Sequence, residues 1–160
     1  MARIDEILHL VGRLNYVWTN TESLLIYLIA HLGATNKEVA IVIFLTLNTT
    51  RARIDLLERL AKVSSTDPDT RTQILALTGR LKQESRLRNK YNHCIYSFDE
   101  NGEFGSTQLM RIAEFDDDLK YGKVEVLNDD EIERIRAAIS EVTSVNKGIW
   151  DFIRLKRIAT

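Results

Sequence analysis

The chain has 160 residues, of which 44% are hydrophobic and 28% charged, and its formal net charge is −1. That length suits one domain with one core, and the hydrophobic share excludes a disordered chain. Near-neutrality excludes a global pull toward nucleic acid or anionic membrane, so any polyanion binding needs a local patch.

One cysteine, Cys94, excludes an internal disulfide framework and fits a reducing compartment. The opening "MARIDEILHL" carries two acids and lacks an apolar run before a small-residue cleavage site, so no signal peptide is expected. The apolar runs "LLIYLIA" and "AIVIFL" fall far short of the ~18 residues a membrane helix requires. The composition leads us to expect a soluble, cytoplasmic protein with no membrane partner, organised as a single domain over residues 1–160.

In chain order, helix comes first. From Ile4 to Leu32 apolar residues recur at three- and four-residue steps through Ile7, Leu8, Val11, Leu14, Tyr16, Trp18, Leu25 and Ile29, with Gly33 as the stop and "TNT" at Thr19–Thr21 loosening the helix without ending it. A second helix, about Asn36 to Leu47, is apolar almost all round, which implies burial on most faces. A third, about Thr49 to Lys62, turns Ile54, Leu56, Leu57 and Leu60 inward and Arg51, Arg53, Glu58 and Arg59 outward. "SSTDPDT" caps a fourth, with Pro68 at an early helical position, running to about His93 on a stripe of Ile74, Leu75, Leu77, Leu81 and Leu87.

After Tyr96 the period changes. "SFDENGEFGS" reads as a loop with Asn-Gly turn chemistry, "TQLMRIAEF" as a strand, "DDDLKYG" as a polar connection, and "KVEVL" as a second strand. The last segment, "NDDEIERIRAAISEVTSVNKGIWDFIRL", opens with cap residues and acids and repeats isoleucine and valine at helical steps, with a break expected near Gly148. The expected fold is mainly α: an up-and-down bundle of about five helices, with a small β-hairpin inserted before the last.

Metal and nucleophile chemistry finds little support in the residues. Three histidines and one cysteine form no CxxC, HExxH or i,i+4 pair, so no metal is expected, nor any cofactor, since no glycine-rich phosphate loop is present. His9 and His31 read as ordinary helix residues, and Asp116, Asp117 and Asp118 as solvated loop. Cys94 adjoins His93, but helical neighbours point about 100° apart, so a packed, inert thiol is expected.

The fourth helix is different. Between Arg80 and Lys90 stand Arg80, Lys82, Arg86, Arg88 and Lys90 against one acid, Glu84, and "RNKYNH" then gathers an arginine, two asparagines and a histidine in six positions. Asparagine is a mediocre helix former, so two of them here suggest a site. Helical spacing stacks Asn89 under His93, Arg88 under Asn92 and Glu84 under Arg88, giving one polar face. Arg88 and His93 themselves diverge by about 140°, so the arginine must curl back or a second copy must complete the site.

"RNKYNH", Arg88 to His93, resembles the R-N-x-x-x-H form of the Arg-x(4–6)-His motif of the HEPN superfamily, all-α domains in which the motif lies near the end of a late helix. The resemblance covers most of the chain, with the strands from about Thr107 to Leu127 as an insertion. It implies a metal-independent endoribonuclease, commonly a homodimer whose motifs meet across a two-fold axis, and often the toxin of a toxin–antitoxin or defence system with an antitoxin protein as partner. RNA supplies its own nucleophile, the 2′-hydroxyl. His93 would serve as general acid or base, Arg88 would clamp the phosphate, and Asn89 would orient the imidazole or hold a phosphate oxygen. Glu84 and Asn92 would support them, and Arg80, Lys82, Arg86 and Lys90 would contact RNA. Some HEPN toxins carry a modified tyrosine two residues after the histidine; here Ile95 stands there and Tyr96 follows. The alternative is a non-catalytic HEPN-like domain acting as a binding or dimerisation module, and a third reading is an unrelated helical protein whose "RNKYNH" merely caps a helix.

Overall fold

The computed structural model describes residues 3–160. Six helices occur among them: α1 (Arg3–Ser23), α2 (Leu25–Leu32), α3 (Lys37–Thr46), α4 (Thr50–Ala61), α5 (Pro68–Asn92) and α6 (Asp129–Leu155). Between α5 and α6 lie five strands: β1 (Cys94–Phe98), β2 (Gly105–Leu109), β3 (Ile112–Phe115), β4 (Asp118–Tyr121) and β5 (Val124–Leu127). The chain is therefore mainly helical with a small antiparallel β region before its last helix, and among the described residues no helix is long and apolar enough to cross a membrane.

Caps mark the helix starts. The Asn36 side chain accepts from the Val39 N–H (2.9 Å), Thr49 from Ala52 (3.2 Å), Asp67 from Thr70 (2.9 Å) and Asn128 from Glu131 (3.0 Å), each satisfying a donor that the helix itself leaves orphaned. The Thr70 N–H in turn holds the Asp67 carboxyl below its usual range.

The helical expectation differs in two places. The first long helix is cut at Leu24, where the Leu24 N–H bonds to the Thr21 carbonyl and the Tyr27 N–H to Leu24, both three residues back (3.1 Å each). Just before the cut, the Thr21 hydroxyl donates to the Val17 carbonyl (2.7 Å) and Ser23 to Asn20 (2.8 Å), the side-chain competition that bends helices. The last helix, by contrast, runs unbroken through Gly148. A Cβ there would stand 2.8 Å from Leu77 Cδ2, so the glycine admits the leucine of α5 and does not interrupt α6.

Two compact units make up the chain: residues through Tyr16 with 85–139, and residues 17–84 with 140–160. In the second, Trp18, Leu25, Leu28, Ile54, Leu57, Ile74, Leu81, Val145 and Ile149 form a fully closed core. Its one buried acid, Glu22, is satisfied by Trp18 Nε1 (2.9 Å), the Thr50 hydroxyl (2.7 Å) and Arg53 Nη1 (2.9 Å). Arg53, expected outward, is thus drawn inward, where its guanidinium also covers the Phe44 ring at 3.9 Å. The α3 helix is less covered than its apolar sequence predicts. Ala40 and Phe44 are buried, whereas Val39, Val42 and Leu45 face outward at 43%, 61% and 65% exposure.

In the first unit, Ile7, Leu10, Leu14, Tyr91, Ile132, Ile135 and Ala138 are buried, while Leu8 and Tyr16, which share the apolar period of α1, point outward. The β region holds more strand than the sequence pattern predicts. An antiparallel sheet in the order β1-β2-β5 pairs Tyr96 with Thr107 and Thr107 with Glu125, and a separate ribbon pairs β3 with β4. The segment read as one strand from Thr107 to Phe115 is divided at Met110–Arg111 between β2 and β3; the polar connection contains β4; and β1 follows directly on the motif. Alternation hides β4 because every residue of the β3–β4 ribbon is exposed, so neither face carries the apolar signature of a buried side. The Asn101–Gly102 turn forms as read, with Gly102 at φ 71° and its N–H donating to the Asp99 carbonyl (3.0 Å).

The ribbon joins the sheet through Gly122, whose N–H donates to the Arg111 carbonyl (3.0 Å) and whose carbonyl accepts from Gln108 Nε2 (3.1 Å). A Cβ at Gly122 would run into the backbone carbonyl of Leu109, which cannot rotate away as a side chain could. Gly122→Ala should therefore lower stability by about 1–3 kcal/mol, the usual cost of overpacking. Thermal and urea unfolding would measure it, and an unchanged midpoint would contradict the close approach.

Candidate functional site

The motif occupies the last turn of α5 and the first residue beyond it, wholly within the first unit. Arg88 is half-buried, and two neighbouring amides orient its guanidinium. Nη1 donates to Asn89 Oδ1 (3.1 Å), and the Asn92 oxygen accepts from Arg88 Nε (3.0 Å) and Nη2 (3.3 Å). The Asn92 amide satisfies its neighbours in this orientation only, with its nitrogen donating to Asn15 Oδ1 (2.9 Å). Asn15, from α1, is anchored by its own Nδ2 to the Val11 carbonyl (3.1 Å). Asn89, Asn92 and Asn15 thus form a polar shelf under Arg88. The sequence pattern offers no signal for Asn15, a solitary amide between the buried Leu14 and the exposed Tyr16.

His93 lies at the bend where α5 ends and is exposed. Its N–H bonds to the carbonyls of Asn89 (3.1 Å) and Lys90 (3.2 Å), and its own carbonyl accepts from the Met110 N–H (3.0 Å), so the backbone is held while the imidazole faces solvent. Asn89 gives its oxygen to Arg88, whereas the role implied by the resemblance directs Asn89 to the imidazole or a phosphate oxygen. In the same unit, Ile95, Gln108, Met110, Arg111 and Tyr121 line an open groove of about 480 Å³.

Of the cations expected to contact RNA, three are bonded to acids of the same chain. Arg80 Nε reaches Glu141 (2.6 Å) and its Nη2 reaches the Ser144 hydroxyl (2.8 Å), while Lys82 pairs with Glu58 (2.9 Å). Lys90 bridges Glu125 (2.5 Å) and Glu131 (2.7 Å) and is largely buried, and Arg86 is exposed. Three of the five basic residues between Arg80 and Lys90 are therefore engaged in internal pairing. Glu84 falls in the second unit, where burial and then the Glu141 charge raise its carboxyl above the usual range.

Behind the motif lies a buried polar junction that the sequence did not announce. Glu131, in the first turn of α6, accepts from the Tyr91 hydroxyl (2.7 Å), Lys90 Nζ (2.7 Å) and Arg134 Nη1 (2.7 Å). Burial works against the Glu131 charge, yet the bonds from Lys90 and Tyr91 outweigh it and hold the carboxyl below its usual value. Burial also opposes the Lys90 charge, yet the hydrogen bonds that Lys90 donates to Glu125 and Glu131 raise its pKa above the usual lysine value. Burial, reinforced by Glu131, keeps the Tyr91 phenol protonated, and burial alone pushes up the Cys94 thiol, consistent with an inert packed cysteine. Tyr96 donates to the Tyr91 carbonyl (2.6 Å), tying β1 to the same turn of helix.

Comparison of the chain with known protein families, curated proteins and solved structures finds no match.

Removing Glu131 would leave Lys90 buried beside fewer partners. Glu131→Gln should destabilise by about 1.5–3 kcal/mol, the usual worth of a hydrogen bond to a charged group, because Lys90 keeps Glu125. A carboxyl held low in the folded state contributes stability above its unfolded pKa of about 4.3, lost as pH falls through the lower folded value. The variant should consequently show a flatter acid limb in unfolding free energy against pH. An unaltered acid limb would show that Glu131 is not held low.

Proposed function

We propose that this chain is a HEPN-like up-and-down helical bundle acting as a metal-independent endoribonuclease, with Arg88 and His93 at its centre. The supporting observation is the side chain of Arg88, fixed by the oxygens of Asn89 and Asn92 within one turn of an exposed histidine. A planar fork oriented in advance costs little reorganisation when negative charge develops on a phosphate, which is what electrostatic catalysis requires. In this reading the 2′-hydroxyl of RNA attacks the adjacent phosphorus and the 5′-oxygen departs. His93 moves the proton at one of these oxygens, and Arg88 stabilises the equatorial oxygens. Asn92 and Asn89 act as positioning residues through Arg88, and the groove lined by Ile95 and Arg111 receives the strand. A homodimer would supply a second motif to complement the divergence of Arg88 and His93, and a toxin–antitoxin or defence setting, with an antitoxin protein as partner, follows from the same resemblance.

A second reading has its own support. Arg80, Lys82 and Lys90 are engaged by acids of the same chain, and Val39, Val42 and Leu45 leave an apolar stripe on α3 uncovered. Both observations favour a non-catalytic HEPN-like module that binds or dimerises through protein contacts.

Cleavage of labelled RNA in EDTA separates the two. The first reading expects cleavage with 2′,3′-cyclic phosphate ends, and His93→Ala should reduce it by about 10²–10⁴-fold, the usual weight of general acid–base catalysis. Because His93 is exposed, its melting temperature should be nearly unchanged. Arg88→Lys should rescue poorly, since an ammonium cannot reproduce the fork. Absence of cleavage by the wild-type protein, or full activity of His93→Ala, would reject the catalytic reading.

A further inference from the structure

The second unit carries a surface feature away from the motif, at the margin of its core, against which Tyr27 and Trp150 pack. A groove of about 450 Å³ opens between the α1–α2 break and α6, and a neighbouring one of about 430 Å³ shares Asn146 and Trp150 with it. On α6, Asn146, Trp150 and Arg154 recur every four residues and so form one stripe, with Lys147 beside it. Tyr27 faces Trp150 across the groove, the ring centroids 6.1 Å apart and tilted by 43°. Lys37, at the start of α3, sets its ammonium 5.1 Å from the Tyr27 ring centroid.

Each part has a chemical consequence. Trp150 packs against the core and Tyr27 yet is only half-buried, unlike Trp18, which is wholly enclosed, so part of its indole remains accessible. Asn146 Nδ2 donates to the Thr21 hydroxyl (3.1 Å), which itself donates to the Val17 carbonyl; this fixes the amide and directs its oxygen as an acceptor. Lys37 and Lys147 are exposed cations, and Arg154 is exposed while pairing with Asp151 (2.8 Å). An aromatic face, an oriented amide and cations at the margin are what a nucleobase with its flanking phosphates requires. The helix break at Leu24 is part of the device, because it opens the wall in which Ser23 and Leu24 sit and carries Tyr27 on a new helix.

We infer that this groove is a docking subsite for single-stranded RNA, in which a base stacks on Trp150 and Lys37 and Lys147 hold the adjoining phosphates. The choice of RNA as the strand rests on the ribonuclease reading; the binding chemistry does not. The subsite lies among residues 17–84 and 140–160, whereas Arg88 and His93 belong to the other unit, so its loss should weaken capture of the strand and leave the catalytic groups chemically intact.

The test uses the full chain and an uncleavable 2′-O-methyl RNA decamer in EDTA, with tryptophan emission and fluorescence polarisation as readouts. Since Trp18 is enclosed, Trp150 reports stacking, and wild-type emission should be quenched saturably. Trp150→Ala should weaken binding at least about tenfold, Trp150→Phe much less, in keeping with base–aromatic stacking. Lys37→Gln and Lys147→Gln, both at exposed positions, should each reduce the slope of log K against log salt by roughly 0.7, as loss of one single-strand phosphate contact does. These two variants keep the test decisive should Trp150→Ala fail to fold. No quenching by the folded wild-type protein at about 100 μM RNA, equal affinity of Trp150→Ala, or unchanged salt slopes would overturn the subsite. Parallel incubation with ordinary RNA separates the two readings: quenching without cleavage rejects only the ribonuclease, and cleavage without quenching rejects only the groove.

Discussion

The Glu131 carboxylate is the constraint on which the motif's surroundings depend. It collects a phenol, an ammonium and a guanidinium in one buried place, and those donors come from the last turn of α5 and from α6 itself. Lys90 adds Glu125 of β5, and Tyr91 accepts Tyr96 of β1 at its carbonyl. Helix end, sheet and next helix are thereby registered against one another by groups that cannot be separated without leaving a buried charge unpaired. Because Lys90 and Tyr91 lie inside "RNKYNH", the same junction determines how the flanking Arg88, Asn89, Asn92 and His93 are presented. Within the motif, Lys90 and Tyr91 are turned inward to this junction, whereas Asn89 and His93 are exposed and Arg88 and Asn92 half-buried.

The second unit solves a similar problem around Glu22. There the buried carboxylate is met by an indole N–H, a hydroxyl and a guanidinium, and its arginine is further fixed by the carbonyls of Phe44 (3.0 Å) and Leu47 (2.7 Å). A satisfied buried polar group of this kind aligns α1, α3 and α4 as well as enclosing apolar surface. Gly148 plays the complementary steric part, allowing α6 to receive Leu77 at a distance that any larger residue would obstruct.

Charge pairing also reshapes the functional argument. A run of five cations against one acid suggests a polyanion track when read along the chain, yet Glu58, Glu125, Glu131 and Glu141 arrive from distant segments to meet three of them. Arg88 is held in addition by neutral amides, the oxygens of Asn89 and Asn92, which fix the geometry of its guanidinium.

By itself the sequence determined the helical character of the chain, most helix limits, the Asn-Gly turn, the β5 strand and the placing of Arg88 against Asn92 one turn on. These are local properties: apolar period, capping residues and turn chemistry act over a few positions and can be read along the chain. Tertiary structure alone decided the break at Leu24, the strands β1 and β4, the inward turn of Arg53, the outward faces of α3, and the pairing of Arg80, Lys82 and Lys90. It alone also brought Asn15 to Asn92 and Tyr27 to Trp150. The physical reason is common to all of these. Whether a side chain is buried, paired or exposed depends on which remote segment arrives opposite it, and a partner 41 residues along the chain, as Glu131 is to Lys90, leaves no period to read.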